Sequence, residues 1–123
     1  MSVTHFRDLT VWQKSIALTK EVYYLVKKLP SEELHVLSNQ MRRAAISIPS
    51  NISEGHSRRS TKEFIHFLSI ATGSKAELET QLILCVEIGY LQSSEIETAM
   101  QLIEEISKML FSLMKSLENR NNY

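Results

Sequence analysis

The sequence predicts an all-α protein: an up-down-up-down antiparallel four-helix bundle that forms a single domain over residues 1–123. Apolar residues recur at helical spacing through four long segments, and short turn signals separate these segments. The 123 residues include only 3 Gly and 2 Pro, which suits long helices better than strands and turns. Amphipathic helices joined by short connections pack as antiparallel neighbours, and a chain of this length buries a core without disulfides.

Two helices are predicted in the first half of the chain. The first runs from about Asp8 to Lys28, because Leu29 precedes a proline and is therefore pushed out of the α region. The second starts at Ser31, an N-cap residue followed by acids, and continues to about residue 56. Pro49 lies in its middle and removes one backbone donor, so we expect a kink there.

Two further helices are predicted in the second half. Gly55 can adopt the left-handed conformation that ends the second helix. Ser60 and Glu63 form a capping box that starts the third helix, which extends to about Gly89. A serine at 93 or 94 is expected to cap the fourth helix, and the ends of the chain, about 1–6 and 119–123, are expected to fray.

The composition is that of a soluble protein, with 43% hydrophobic and 23% charged residues. No basic-then-apolar leader opens the chain, and no apolar run approaches the ~20 residues that cross a bilayer. We therefore expect a cytoplasmic protein without membrane contact. The single cysteine, Cys85, cannot form an internal disulfide and is predicted to be a small buried hydrophobe.

Two predicted helices carry more apolar surface than a four-helix monomer can bury, although scattered exposed apolar residues are also common in monomers. One stripe of the first helix consists of Leu9, Trp12, Ile16, Tyr23 and Val26. Another, about half a turn away, consists of Val11, Leu18, Val22, Leu25 and Leu29. The third helix also has apolar residues outside its main stripe. This excess predicts a homo-oligomer, with the second stripe of the first helix as the subunit interface.

The strongest enzymatic candidate is a pair of Glu-x-x-His motifs, Glu32 to His35 and Glu63 to His66. Di-iron bundles use two such motifs, all of whose ligands project inward. Here neither motif lies on the apolar stripe of its helix. No Ser-His-Asp order, phosphate-binding glycine loop or zinc spacing occurs. The sequence therefore predicts no catalytic residue, metal, cofactor or small-molecule substrate.

The net charge is zero, but the charges are unevenly distributed. Residues 1–62 contain 10 Lys and Arg against 5 Asp and Glu, whereas residues 63–123 contain 4 against 9. Five cations on the second helix and the turn after it form a predicted nucleic-acid site: Arg42, Arg43, Arg58, Arg59 and Lys62. Arginines beside a helix N-terminus suit phosphate, and the cluster contains no aromatic residues, so binding should be led by the nucleic-acid backbone.

A row of polar residues on the second helix bears on the same question. Arg43, Ser47, Ser50 and Glu54 lie opposite its apolar stripe, which fits either a solvated face or a functional surface. Glu54 is expected to brace Arg58 one turn away. In the alternative to nucleic-acid binding, the protein is a scaffold whose arginines pair with the acidic half of a neighbouring subunit.

Five parts of the sequence together resemble a known family. They are residues 6–12, 40–55, 58–60, 63–64 and 73–80. These segments resemble the bacterial four-helix bundle proteins encoded in intervening sequences of large-subunit ribosomal RNA genes, over nearly the whole chain. The resemblance implies a left-handed up-down bundle that assembles into a homopentameric ring. That family is similar to the accessory protein of diversity-generating retroelements, a basic pentamer that binds nucleic acid and reverse transcriptase, which implies a nucleic-acid partner here. We expect this partner to be structured RNA.

Overall fold

The computed structural model describes residues 5–121, which form four α-helices. They are α1 (Thr10–Val26), α2 (Leu37–His56), α3 (Thr61–Ile88) and α4 (Glu97–Asn121). Short 3₁₀ helices at Phe6–Asp8, Ser31–Glu33 and Ser93–Ile96 precede α1, α2 and α4. No strand occurs in the described part of the chain, and the predicted all-α four-helix class is confirmed. None of the helices within residues 5–121 is long and apolar enough to span a bilayer.

The helices pack in a square in which α1 and α3 each contact both α2 and α4, so α1 and α3 lie at opposite corners. Contacts between α2 and α3 run in opposite directions along the two helices. The sulfur atoms of Met41 and Cys85 are 3.6 Å apart, whereas the hydroxyl groups of Ser47 and Ser74 are 2.7 Å apart further along. These two helices are therefore antiparallel.

Two ion pairs show the same relation between α1 and α4 and define the ends of the bundle. Lys14 Nζ lies 3.1 Å from Glu105 Oε1, and Lys28 Nζ lies 2.8 Å from Glu95 Oε2. The second pair joins the segments that follow α1 and α3, so residues 27–36 and 89–96 meet at one end. We call this the 27–36 end. The opposite end, where α2 passes into α3, is the 57–60 end.

The five residues predicted to form a subunit interface lie instead in the core of the bundle. Exposed fractions of only 0–8% are found for Val11, Leu18, Val22, Leu25 and Leu29. A side chain without exposed surface cannot contact a second molecule, so this part of the prediction is wrong. Only part of the other stripe faces outward: Tyr23 is 41% exposed and Ile16 is half-buried, whereas Val26 is buried. Periodicity located both stripes, but it does not tell which one meets the other helices.

Helix α2 starts later than predicted and ends at His56 as predicted, but Gly55 has a different role from the expected cap. It begins at residue 37, because residues 31–33 form a separate 3₁₀ turn. The helix continues through Pro49, and the kink expected there stays a prediction. Gly55 lies inside the helix and is buried, and the only positive φ in residues 5–121 belongs to Gly89. A Cβ on Gly55 would lie 2.8 Å from Cβ of Phe67, so this glycine permits close packing of α2 on α3 rather than a left-handed cap.

The start and end of α3 agree with the sequence. The Ser60 hydroxyl accepts a hydrogen bond from Glu63 N at 3.1 Å, and it donates to the Glu63 carboxylate at 3.2 Å. The helix ends at Gly89, whose φ of 95° is the left-handed conformation that glycine adopts without strain. The boundaries of α3 are therefore explained by local side-chain chemistry.

Helix α4 is capped differently from the prediction. Gln92 and Glu95 form the capping box at its 3₁₀ entry, in place of a serine cap. The helix runs on to Asn121, and the fraying expected from residue 119 stays a prediction. At the other terminus His5 and Phe6 enter the first 3₁₀ turn. The rest of the predicted frayed ends, residues 1–4 and 122–123, lies outside the described residues.

Candidate nucleic-acid interface

A groove of about 330 Å³ at the 57–60 end brings three arginines together, and we call it the arginine groove. Its cationic lining consists of Arg58, Arg59 and Arg120. Ser60 and Thr61 line it at the N-terminus of α3, where backbone N–H groups favour an anion. The turn after α2 supplies two of the arginines, and the last turn of α4 supplies the third.

Arg58 is fixed by contacts within the chain. Its Nη2 lies 2.9 Å from Glu54 Oε2, its Nη1 lies 3.7 Å from Glu63 Oε2, and its guanidinium carbon lies 4.9 Å from the centre of the Phe67 ring. The predicted brace from Glu54 is confirmed. Exposed ion pairs of this kind contribute little to stability, about 0–1 kcal/mol, but they orient the guanidinium and offset its charge. Arg58 is therefore a compensated cation at the edge of the groove.

Arg59 and Arg120 are the uncompensated cations of the groove. Both side chains are exposed, and neither takes part in any ion pair within residues 5–121. Arg120 was missed by the sequence analysis because it is far from Arg59 in the chain. The signal that locates it is the length of α4: a helix that reaches residue 120 ends beside the start of α3.

Aromatic rings also line the arginine groove, although the basic segment was expected to contain none. Phe64 and His56 are part of the lining, with ring centroids 5.8 Å apart and planes perpendicular. They come from the end of α2 and the first turn of α3. Phe64 is half-buried, so only part of its ring is available for contact with a ligand.

The other predicted cations do not join the groove. From Arg42 to the end of α2 at His56 the helix rises about 21 Å, so Arg42 and Arg43 lie towards the 27–36 end. Arg42 lines a shallow groove with the segment after α1, and Arg43 lines a polar groove of about 450 Å³ between α2 and α3. Lys62 is exposed on the first turn of α3. The predicted cluster is thus two separate surfaces.

Part of the polar row on α2 is structural. The Ser74 hydroxyl donates to Ser47 Oγ at 2.7 Å, and Asn51 Nδ2 donates to the same oxygen at 2.9 Å. The first of these bonds connects α2 to α3 in the lining of the polar groove, and the second lies within α2. Arg43 and Ser50 remain exposed on the outer side of the helix.

The two Glu-x-x-His motifs lie at opposite ends of the bundle. The Glu32 motif is in the 27–36 segment, whereas Glu63 belongs to the first turn of α3, where it caps the helix and contacts Arg58. Within residues 5–121 no three His, Cys, Asp or Glu side chains are grouped so that they could hold a metal ion.

The predicted role of Cys85 as a small buried hydrophobe is confirmed. Its thiol is fully buried and lies 3.6 Å from the Met41 sulfur. Burial raises the pKa of Cys85 to about 11, and the negative charge of Glu33 adds to this. Since the thiolate is the reactive form, burial and the raised pKa both disfavour reaction of this cysteine at neutral pH.

These features define a class of protein: a small all-α bundle with a cationic groove at one end. The chain belongs to the 23S rRNA-intervening sequence protein family, whose model matches residues 7–112. It is also similar to a protein of unknown function from the S23 ribosomal protein family of Bacteroides thetaiotaomicron. The two are 32% identical with a TM-score of 0.79, over 86% of this chain and 99% of that one. Among curated proteins, none matches the chain. The predicted family membership is confirmed.

Proposed function

We propose that the protein is a non-enzymatic homo-oligomer that binds structured RNA through the arginine groove. The observation that supports this best is the convergence of two uncompensated cations, Arg59 and Arg120, on the N-terminus of α3. Guanidinium groups bind phosphate oxygens in a bidentate manner, and a helix N-terminus adds backbone donors and a favourable dipole. The groove therefore suits the RNA backbone.

The family supplies the first RNA to test. It is named for intervening sequences of 23S rRNA, so a fragment of 23S rRNA is a suitable probe. A single groove offers few phosphate contacts, and its affinity alone is expected to be low. A homo-oligomer repeats the groove, and simultaneous contacts raise the overall affinity by orders of magnitude.

The alternative function is a scaffold in which the same arginines bind acidic residues of a neighbouring subunit. Arg58 favours this less, because Glu54 and Glu63 of its own chain already occupy it. Under the scaffold hypothesis, rising salt dissociates the oligomer itself. Under the RNA hypothesis, rising salt weakens RNA binding and leaves the oligomer intact.

Filter binding of a 23S rRNA fragment at several salt concentrations tests the proposal. We expect binding that falls steeply with salt, because neutralised phosphates release counterions. Arg59→Ala and Arg120→Ala should each lower the affinity and reduce the slope of log K against log salt by about 0.7–0.9 for every phosphate that is no longer neutralised. Binding that is undetectable even at low salt would refute the proposal.

Lys108→Ala provides the matched control. Lys108 is an exposed cation on the same helix as Arg120, about 18 Å away along α4, and it pairs with Glu104 at 3.4 Å. Its removal changes the net charge by the same amount but leaves the arginine groove intact. Equal losses from Lys108→Ala and Arg120→Ala would show that only the overall charge matters, and the groove would then have no specific role.

A further inference from the structure

The outer side of α1 carries an apolar groove that no part of residues 5–121 covers. It has a volume of about 420 Å³ and is lined by Ile16, Thr19, Lys20, Tyr23, Tyr24 and Lys27. Tyr23 and Tyr24 are 41% and 57% exposed. Neither Lys20 nor Lys27 takes part in an ion pair within the described residues. This α1 face is thus apolar with two uncompensated positive charges.

The last turns of α3 carry a second exposed apolar face, of the opposite charge. Ile83, Leu84 and Ile88 are 43–54% exposed. Glu87 is exposed between them and makes no ion pair within residues 5–121. This α3 face is thus apolar with an uncompensated negative charge.

We propose that the α1 face of one molecule binds the α3 face of a second copy, head to tail. The occupant is a second copy because the chain itself supplies both complementary surfaces: apolar residues for burial, with lysines on one face and a glutamate on the other. Exposed apolar faces rimmed by charge are typical of protein interfaces, and opposite charges across them fix the orientation. The proposal rests on the homo-oligomeric part of the proposed function and adds which surfaces meet.

The position of the two faces determines what such a contact builds. Helices α1 and α3 lie at opposite corners of the square, so their outer sides point away from each other. A molecule cannot bind both faces of its partner at once, and the contact is therefore heterologous. Both faces also extend to the 27–36 end, where the Lys28–Glu95 ion pair joins the segments that follow α1 and α3. Successive copies are then displaced little along the helix axes, and the rotation between them determines whether the copies close into a ring.

Light scattering after size-exclusion chromatography tests this with two single variants. Tyr23→Glu damages only the α1 face, and Ile88→Glu damages only the α3 face; both sites are exposed, so both variants should fold. We expect an oligomeric wild type and two monomeric variants. Mixed in equal amounts, the variants should form a 1:1 dimer of about 28 kDa, twice the chain mass of 14.2 kDa. The intact α3 face of one then binds the intact α1 face of the other.

Phe111→Glu is the control, because Phe111 is 67% exposed on α4 and lies on neither face. It should keep the wild-type mass. An Ile88→Glu variant of wild-type mass would show that the contact does not use α3, and a mixture that stays monomeric would refute the pairing of the two faces. A monomeric wild type would refute the homo-oligomer as well. RNA binding is a separate readout, because the monomeric variants retain the arginine groove and should still bind RNA in a manner that depends on Arg59.

Discussion

Replacing Gly55 with alanine tests how closely α2 and α3 approach each other. An added Cβ would lie 2.8 Å from Cβ of Phe67 and 2.9 Å from Cδ1 of Phe64, and 3.2 Å from the Phe64 carbonyl oxygen. Ordinary contacts of a Cβ begin near 3.4 Å. The ring of Phe64 can rotate, but Cβ of Phe67 is attached to the backbone. Relief of that contact therefore requires the two helices to separate by about half an ångström.

Two opposing effects determine the size of the change. Alanine is favoured over glycine in a helix interior by about 1 kcal/mol. Overpacking of a well-packed interior costs about 1–3 kcal/mol, and here the backbone contact places the cost near the upper end. We therefore expect Gly55→Ala to reduce the free energy of unfolding by about 1–2 kcal/mol.

Gly73→Ala isolates the first effect. Gly73 is also inside a helix, but a Cβ there meets no atom within 4 Å, so the variant should be about 1 kcal/mol more stable than the wild type. Urea unfolding followed by circular dichroism measures both changes. Because an oligomer makes the midpoint depend on protein concentration, all three proteins are compared at one concentration. A Gly55→Ala variant at least as stable as the wild type would refute the close contact between α2 and α3.

Two further predictions concern the core. Leu18→Ala removes a fully buried side chain and should reduce the free energy of unfolding by about 2–5 kcal/mol in urea unfolding, whereas substitution of an exposed residue such as Phe111 should change it little. Raising the pH from about 9 to about 11 should destabilise the protein, because the folded state raises the pKa of Cys85 from 9.0 to about 11 and so binds its proton more tightly than the unfolded state does. This contribution is fully present below pH 9 and is lost across that window. Urea midpoints across the window should therefore fall less for Cys85→Ala than for the wild type.

The helix count and class could be predicted because local chemistry determines most helix boundaries. Ser60 caps α3 through its own side chain, and Gly89 ends it in the one backbone conformation that favours glycine. The prediction was wrong at the start of α2, because two hydrogen bonds to the Glu33 carboxylate compete with the N-cap signal of Ser31. Glu33 accepts hydrogen bonds from the backbone N–H of residue 37 and from the hydroxyl of Tyr90, which lies beyond α3. That second partner is remote in the chain, so no local pattern indicates it.

The orientation of α1 was predicted wrongly for a related reason. Both of its apolar stripes satisfy helical periodicity, and the choice between them depends on what the neighbouring helices present. In the structure, Thr19 marks the side of α1 that meets α2, because its hydroxyl donates to the Ala45 carbonyl oxygen at 3.2 Å. Small residues on α2 allow α1 to approach at this point. The pair of alanines at 44 and 45 was visible in the sequence, but its partner on α1 was not.

The candidate site was predicted in part. Arg58 and Arg59 are adjacent in the chain and meet in one groove. Arg42 and Arg43 lie on α2 before that turn, and Arg42 is about 21 Å along the helix from its end at His56. Sequence proximity therefore overestimated the number of cations that meet in one groove. It also missed Arg120, whose position depends on the length and direction of α4.

The two proposed surfaces make different demands on the bundle, and their separation satisfies both. A self-association surface must exclude water, whereas an RNA surface must stay open to a large anionic ligand. The α1 and α3 faces extend to the 27–36 end, and the arginine groove lies at the 57–60 end. Assembly through the first leaves the second uncovered. In a ring whose axis runs along the helices, every groove would lie on the same side of the ring. A chain of zero net charge would then present the uncompensated Arg59 and Arg120 of every copy to RNA from one side.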